Sequence, residues 1–371
     1  MSIISLLCRA TTMFGTLLAV IVATGASADA RKYPQQSEGD FIVRDFQFQN
    51  GETLPELRLH YTTIGVPQRD AAGHVRNAVL LLHGTTGTGK VFLGPTIAGE
   101  LFGPGQPLDA SRYYIIVPDG LGRGGSSKPS DGLRARFPRY GYADVVAAQY
   151  LLATAGLGVD HLRLVLGVSM GGMQAWMWAE RYPEMMDAVM PIACQPAAIS
   201  GRNLMFRRIL TESIRNDPGW NGGDYQAQPR HWLYAAPLWP IVLDSPVRLQ
   251  AQAPTRQAAI AAYDTMVGNA GQNYDANDFL YWLESSWDYD PQPLLGKIKT
   301  TLVAVNFADD ALNPSDLDIV EKLVKTIPTA RFVLVPESEK TAGHQTLALA
   351  AIWKPYLEEL LRASSPAAAR P

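Results

Sequence analysis

Residues 164–176, LVLGVSMGGMQAW, decide the fold. A short apolar run, typical of a buried strand, leads into residues 167–171, GVSMG, and a helical pattern follows directly. G-x-S-x-G between a strand and a helix forms a sharp turn that raises the serine hydroxyl above the edge of the sheet. Glycines on both sides of the serine let the strand and the helix approach closely. This pattern predicts that Ser169 is a nucleophile at the end of a strand.

Similar apolar runs recur along the chain and alternate with helical stretches. The runs start near residues 78, 113, 187, 300 and 331, and the helical stretches cover residues 142–157, 170–183, 315–327 and 344–363. Continuous apolar runs of this length suit parallel strands that are buried on both faces. Two alternating segments, 41–49 and 57–65, precede them and flank Asn50-Gly51, which predicts an antiparallel hairpin. We therefore expect an α/β fold with a doubly wound, mostly parallel sheet.

Residues 195–292 break this rhythm, because prolines and helix-like pieces replace the apolar strand runs. They predict a cap inserted into one α/β domain, whose first part is residues 29–194 and whose second part is residues 293–371. Most of the cap tryptophans are expected to pack between cap and body, and a minority to line an apolar pocket. They are Trp220, Trp232, Trp239, Trp282 and Trp287.

A serine hydroxyl needs a base, and the chain offers six histidines. His344, in TAGHQTL, follows the last strand run and opens the final helical stretch, which is where the base is expected in this kind of fold. A structural or oxyanion-loop role is expected for His83. Surface or packing roles are expected for the others, which are His60, His74, His161 and His231.

The acid that orients the base should follow a strand between the serine and the histidine. The segment VAVNFADDALNPSD supplies Asp309 and Asp310. Asp310 is preferred because its spacing to Pro314 matches the turn after that strand, and Asp309 stays open as the alternative. The chain order Ser, Asp, His is the order of the α/β-hydrolases.

Residues 83–90, HGTTGTGK, nearly spell a nucleotide-binding P-loop. The hydroxyl that should follow the lysine and ligate Mg²⁺ is missing, because Val91 stands there. A glycine-rich turn after a buried strand can instead direct backbone amides at a developing oxyanion. The sequence therefore predicts an oxyanion hole formed by the backbone N–H groups of Thr85 and Met170.

Composition limits the partners. The 371 residues carry a formal net charge of −3 and are 47% hydrophobic, which argues against nucleic acid as a partner. Metal-ligand spacings and a dinucleotide-binding loop are not seen, so neither a metal nor a cofactor is predicted. The expected partner is a small acyl substrate, and the sequence is compatible with a homodimer.

The first 28 residues have the pattern of a signal peptide. Arg9 precedes the apolar stretch 13–25, and the small residues Ala26-Ser27-Ala28 follow it. A membrane anchor is the alternative, but the apolar stretch is short for a bilayer. Cleavage would remove Cys8 and leave Cys194 as the only cysteine, so no disulfide could form within the chain. The mature protein would also have no stable membrane anchor. We expect a periplasmic or secreted protein.

The chain resembles α/β-hydrolases of the homoserine O-acetyltransferase-like group, from about residue 41 to residue 361. Four segments carry the resemblance: residues 167–193 (GVSMGGMQAWMWAERYPEMMDAVMPIA), 214–225 (IRNDPGWNGGDY), 309–314 (DDALNP) and 343–346 (GHQT). It implies that Ser169, Asp310 and His344 form a catalytic triad and that an acyl group passes from the enzyme to an acceptor.

The chain departs from that group in ways that bear on the acceptor. Members typically have an Arg-Gln-Ala-Ile-like run at the position where residues 211–214 of this chain read TESI. The cation of that run is therefore missing at Thr211. Other arginines in the cap could compensate for it: Arg202, Arg207 and Arg208. The histidine is commonly followed by Asp, and here Gln345 stands. Export would also separate the enzyme from acetyl-CoA and homoserine. We therefore expect an exported serine hydrolase that cleaves an ester or a related acyl substrate, with a homoserine O-acetyltransferase-like acyltransferase as the alternative.

Overall fold

The computed structural model describes residues 33–364, and within them eight strands pair into one sheet. The strands are β1 (Ser37–Gln47), β2 (Thr53–Ile64), β3 (Ala78–Leu82), β4 (Tyr114–Pro118), β5 (Leu164–Val168), β6 (Ala188–Ile192), β7 (Thr301–Phe307) and β8 (Ala330–Val335). Their order is β1-β2-β4-β3-β5-β6-β7-β8. β1 and β2 are antiparallel to their neighbours, and the strands from β3 to β8 pair in parallel. The predicted fold class is confirmed.

The burial of the strands follows from their sequences. All five residues of each strand from β3 to β6 are buried, as expected for apolar runs covered by helices on both faces. β1 alternates in exposure and joins β2 through a turn in which the N–H of Phe48 donates to the Glu52 carbonyl. Gly51 occupies this turn with φ +87°, a conformation that favours glycine. The predicted hairpin at Asn50-Gly51 is therefore present.

Ten α-helices lie among the described residues. They are α1 (Ala98–Leu101), α2 (Tyr142–Leu151), α3 (Met170–Arg181), α4 (Gly201–Arg215), α5 (Leu238–Leu243), α6 (Pro246–Gln252), α7 (Arg256–Asn273), α8 (Ala276–Glu284), α9 (Ile319–Val324) and α10 (Ala350–Ala363). Alternate side chains of the central strands pack against α2 and α3 on one face and against α1 and α10 on the other. The sheet is thus doubly wound. None of these helices combines the length and apolar character needed to cross a bilayer.

Two of the predicted helices begin later than the sequence pattern suggested. The stretch 315–327 begins with a 3₁₀ turn, and α9 starts only after Asp318, whose φ is +53°. The stretch 344–363 also begins with a 3₁₀ turn, Gln345–Ala348, and Leu349 has non-helical torsions before α10. The prediction that His344 opens the final helix is therefore wrong. The Thr346 hydroxyl accepts a hydrogen bond from the Ala342 N–H, and the Ala350 N–H donates to the Thr96 carbonyl. Hydrogen bonds to a side chain and to another loop thus take the place of helical backbone hydrogen bonds here.

The segment between β6 and β7 contains α4 to α8 and has an apolar core of its own. Trp232, Trp239 and Trp282 are buried in this core, Trp220 packs against it, and Trp287 is 71% exposed. Leu312 of the α/β body completes the cluster, so the helical segment packs on the body. Residues 33–364 belong to one compact unit. The domain boundaries at residues 195 and 292 stay a prediction, and the predicted signal peptide with Cys8 lies outside the described residues.

Candidate active site

Ser169 occupies the turn between β5 and α3. Its backbone has φ +53° and ψ −117°, a region that residues with a Cβ rarely adopt, and its N–H donates to the Ile192 carbonyl at 2.8 Å. The bond to β6 fixes this strained turn at the carboxyl end of the sheet. The position is the one that the G-x-S-x-G pattern predicts.

The glycines around Ser169 are required by close backbone contacts. A Cβ on Gly167 would lie 1.9 Å from the Gly171 carbonyl oxygen, and one on Gly171 would lie 2.0 Å from the carbonyl oxygen of Leu82. Real atoms do not approach so closely, so any larger residue would force β3, β5 and α3 apart. The tight turn thus depends on both glycines.

A hydrogen-bonded chain joins Ser169, His344 and Asp310. His344 Nε2 lies 2.8 Å from Ser169 Oγ, and His344 Nδ1 lies 2.7 Å from Asp310 Oδ2. All three side chains are buried. Since a carboxylate only accepts, Nδ1 carries the proton and donates to Asp310, which leaves Nε2 free to accept from the serine hydroxyl. The structure therefore brings the three residues into the geometry of a nucleophile, a base and an orienting acid.

Asp310 is held as a carboxylate by its surroundings. Burial alone would raise its pKa, but the charge and hydrogen bond of His344, with hydrogen bonds from Asn313 and Leu312, lower that pKa below its ordinary value. The Leu312 N–H donates to Oδ1 at 2.8 Å, and the Asn313 side-chain amide donates to Oδ2 at 2.8 Å. A charged Asp310 stabilises the imidazolium that forms when His344 takes a proton.

Asp309, the alternative acid, takes a different position. Its Oδ2 accepts from the backbone N–H of Gly343 at 2.8 Å, and its Oδ1 is buried with no partner among the described residues. Gly343 has φ +60° and directly precedes His344. The Asp309 side chain thus holds the loop that carries the histidine, and Asp310 is the carboxylate that contacts the imidazole.

The loop after β3 lies against Ser169. A Cβ placed on Gly84 would sit 3.3 Å from the Cβ of Ser169, and Thr85 shares with Ser169 the lining of a cavity of about 130 Å³. Among the described residues, neither the Thr85 nor the Met170 backbone N–H donates a hydrogen bond. Met170 is the first residue of α3, so the positive end of the helix dipole is at the same place. Both amides thus have no hydrogen bond among the described residues, and their role in an oxyanion hole stays a prediction.

The residues that resemble a P-loop have other partners. The Gly89 N–H donates to the Asp119 carboxylate at 2.7 Å, and a negative side chain on that amide disfavours phosphate there. His83 is buried, its Nδ1 donates to the Gly84 carbonyl, and its Nε2 accepts from the Gly120 N–H. Burial lowers the pKa of His83 to about 4, so the ring stays neutral. His83 connects two loops and supports the segment that carries Thr85.

The other histidines do not line the Ser169 cavity. His60, His74 and His161 each bond a carboxylate: Asp40, Asp160 and Asp187, respectively. His231 is exposed in a 3₁₀ turn. Clusters of His, Cys, Asp and Glu suited to a metal ion are not found within residues 33–364.

Sequence reasoning gave no role to Asn313, although DDALNP was part of the resemblance. Its side-chain amide donates to Asp310 Oδ2 and also to the Ala193 carbonyl at 3.0 Å, which ties the acid to the end of β6. The spacing of three residues after Asp310 is the signal that could have identified it, because an amide at that distance can close a turn on a carboxylate.

Comparisons with known proteins identify the family of the chain. A family model described as alpha/beta hydrolase fold matches residues 77–342. The chain is similar to a homoserine O-acetyltransferase of Moorella thermoacetica, at 30% identity over 369 residues that cover 84% of this chain and 93% of the relative. It is also similar to a homoserine O-acetyltransferase of Thermobifida fusca, at 38% identity over 196 residues that cover 49% of this chain; the match spans about half of that relative, 50% of its length.

A solved structure has the same fold. An acetylester hydrolase from Corynebacterium glutamicum superposes with a TM-score of 0.75 and 22% identity, over 88% of this chain and 96% of that one. Proteins named as transferases and as ester hydrolases thus share the architecture. The fold does not decide between the two reactions.

Proposed function

The chain belongs to the α/β-hydrolase fold family, in its homoserine O-acetyltransferase-like group, and on that premise we propose that it is an exported serine hydrolase that cleaves a carboxylic ester or a related acyl substrate. The observation that carries the proposal is the hydrogen-bonded chain from Ser169 through His344 to Asp310. A serine bonded to the free nitrogen of an oriented imidazole is activated for attack on a carbonyl carbon.

In the proposed reaction, Ser169 Oγ attacks the ester carbonyl and gives its proton to His344 Nε2. Asp310 stabilises the imidazolium, and the N–H groups of Thr85 and Met170 stabilise the negative oxygen of the tetrahedral intermediate. Collapse of this intermediate breaks the ester bond, and the leaving alcohol takes the proton from His344. Water then attacks the acyl-enzyme with His344 again as base, which releases the acid and restores the serine.

The surroundings of Ser169 favour an acyl group that is apolar and short. The cavity measures about 130 Å³, and its wall beyond the catalytic groups is mostly apolar: Val91, Trp239, Leu243, Leu347 and Ala348. An acyl chain there would displace water and contact mostly apolar side chains, with Thr86 and Gln345 as polar neighbours. An ester with a short to medium acyl chain is the substrate class that this wall supports.

Acyl transfer to homoserine is the second candidate, because relatives with that name match the chain. A transferase must hold its acceptor near the acyl-enzyme to compete with water. The carboxylate of homoserine would need a cation, and position 211 offers a buried threonine. Among the arginines that could compensate, Arg202 and Arg208 are exposed, and Arg207 lines, together with Thr211, a different cavity to which Ser169 does not contribute. These placements favour water as the acceptor.

We expect the purified protein to hydrolyse p-nitrophenyl esters of short to medium chain length, and millimolar homoserine neither to speed p-nitrophenol release nor to become acylated. Water and homoserine would both use His344 as the base, so homoserine could outcompete water only if the enzyme bound it next to the acyl group. A chromogenic ester series with mass spectrometry of the products measures both. Formation of O-acetylhomoserine from acetyl-CoA well above the rate of acetyl-CoA hydrolysis would establish the transferase instead.

Export is part of the proposal and is supported by the N-terminal pattern alone. We expect protein recovered from its native cell to be in the periplasm or the medium and to start at or near Asp29, because the small residues before it suit signal peptidase. N-terminal mass spectrometry of each cell fraction measures this. An intact Met1 on protein from the cytoplasm would contradict export and favour the transferase. The homodimer stays a prediction.

A further inference from the structure

A second cavity, of about 520 Å³, lies between α4, α8 and the loop before α2, and neither Ser169 nor His344 lines it. Its volume falls within the range of about 300–1,000 Å³ that small-molecule sites usually have. Apolar and aromatic side chains form much of the wall: Ile199, Leu204, Tyr281, Leu283, Trp287 and Tyr289. Such a wall suits a ligand with an apolar body.

Two buried arginines, Arg207 in the wall of this cavity and Arg123 near it, have no carboxylate partner, and the part of the wall formed by Arg207 and Tyr140 is called the inner end of the cavity. Arg207 lines the cavity and is 4% exposed, and Arg123, 2% exposed, interacts electrostatically with it. Within residues 33–364 neither guanidinium forms a salt bridge. Burial lowers the pKa of both groups, that of Arg123 to about 9. A guanidinium keeps its charge at neutral pH. Buried charges normally have a partner of opposite sign.

The contacts of the two arginines are with neutral groups. Arg207 donates to Asn203 Oδ1 and the Leu283 carbonyl, each at 3.1 Å, and to Ser286 Oγ at 3.2 Å. The Arg123 guanidinium lies 3.7 Å from the centre of the Trp282 ring, and its Nη1 has no partner among the described residues.

Asp278 is the carboxylate that interacts electrostatically with Arg123. Its carboxylate accepts from the N–H and the hydroxyl of Ser130, at 2.9 and 2.7 Å, and forms no ion pair with the arginine. Glu284 also lines the cavity, but it pairs with Arg139 and Arg215, so neither carboxylate forms an ion pair with Arg123 or Arg207.

One tyrosine hydroxyl at the same place has no hydrogen-bond partner among the described residues. It belongs to Tyr140, which lines the cavity and interacts electrostatically with Arg123, whereas the nearby Tyr142 is hydrogen-bonded to Arg207. Burial raises the pKa of Tyr140, so its hydroxyl keeps its proton and can donate. A buried hydroxyl without a partner is costly, and a ligand that accepts a hydrogen bond removes this cost.

We propose that the inner end of this cavity binds the carboxylate group of an apolar monocarboxylic acid, with Arg207 and Tyr140 as its direct donors and Arg123 as a buried countercharge. A carboxylate matches the planar guanidinium and accepts several hydrogen bonds at once. The proposal does not rest on hydrolysis at Ser169.

A thin layer of side chains separates the two cavities. Arg123 Nη2 lies 3.7 Å from the sulfur of Met170, and the Arg207 guanidinium lies 5.6 Å from the ring centre of Trp239, which lines the Ser169 cavity. The carboxylate site is thus next to the candidate active site but distinct from it.

The test uses calorimetric titration of the purified protein with straight-chain and phenyl-substituted monocarboxylates of four to ten carbons, such as 4-phenylbutyrate, and with the neutral analogue 4-phenylbutanol. We expect saturable one-to-one binding of at least one acid, with an affinity about tenfold or more above that of its alcohol, as for loss of a hydrogen bond to a charged group. The Ser169→Ala variant should bind the acid equally well. Equal binding of acid and alcohol, or binding of no acid at millimolar concentration, would overturn the proposal.

Two tyrosine variants separate a ligand site from a structural defect. Tyr140→Phe should weaken acid binding about fivefold or more without lowering Tm, because its hydroxyl has no partner to lose. Tyr281→Phe is the matched control: this residue lines the same cavity, but its hydroxyl donates to the Phe137 carbonyl at 2.6 Å, so Tm should fall while the affinity stays. Unchanged affinity in Tyr140→Phe would show that the carboxylate site has been placed wrongly.

Discussion

Replacement of Ser169 by alanine should lower the rate of ester hydrolysis by several orders of magnitude, on the order of 10⁴–10⁶-fold. Alanine has no Oγ, so the bond to His344 Nε2 disappears and an acyl-enzyme cannot form. The oxyanion donors and the cavity remain, which leaves a residual rate above that of water alone. The p-nitrophenyl ester that the wild type cleaves best is the substrate for this measurement.

Covalent labelling makes the same test independent of the substrate. A fluorophosphonate probe should label the wild type and leave Ser169→Ala unlabelled, because the probe reacts with activated serines. Ser338→Ala is the control, since this serine is exposed in the loop after β8 and should not affect labelling. Equal labelling of wild type and Ser169→Ala would show that the nucleophile lies elsewhere.

The central strands could be predicted because their burial is uniform. β3 to β6 are covered on both faces, so each reads as an unbroken apolar run with a helix after it. The first residue of the last helix, expected at His344, could not be predicted in the same way, because α10 begins at Ala350. Its apolar pattern continues through the 3₁₀ turn, and the interruption at Leu349 depends on hydrogen bonds with Thr96 and Ala342, which lie outside the helical pattern.

Some residues in and near the candidate site could be predicted from the sequence, and others could not. Ser169 was predictable because G-x-S-x-G requires a particular local geometry, and His344 because the fold places a base after the last strand. The buried charges of Arg123 and Arg207 were not predicted. Whether an arginine is buried depends on the segments that cover it, here the aromatic residues of α8 and the loop before α2, which are distant in the sequence.

Asp309 and Asp310 show the limit of spacing arguments. Two adjacent carboxylates follow β7, and neighbouring side chains in a turn point in different directions. The direction is set by the turn at residues 310–313, where the Leu312 N–H and the Asn313 amide bond Asp310. The structure places Asp310 against the imidazole and Asp309 against the loop backbone, which makes the two roles separable by mutation.

We expect Asp310→Asn to lower kcat by about 10⁴-fold, the size of effect seen when an orienting carboxylate in a triad becomes an amide. An amide N–H facing His344 Nδ1 would move the ring proton to Nε2, so the imidazole could no longer accept from Ser169. The neutral amide would also not stabilise the imidazolium. The measurement is kcat on the chromogenic ester, with Tm to show that the variant is folded.

Asp309→Asn is the matched control, because the same change is made one residue earlier. Its amide oxygen can still accept from the Gly343 N–H, so the loop that carries His344 keeps its bond, and kcat should fall less than about tenfold. The pair of variants therefore compares a charge next to the imidazole with a charge that bonds only the backbone. If Asp309→Asn lost as much activity as Asp310→Asn at unchanged Tm, orientation of the loop would matter as much as the carboxylate on Nδ1, and Asp310 would not be the only acid on which the base depends.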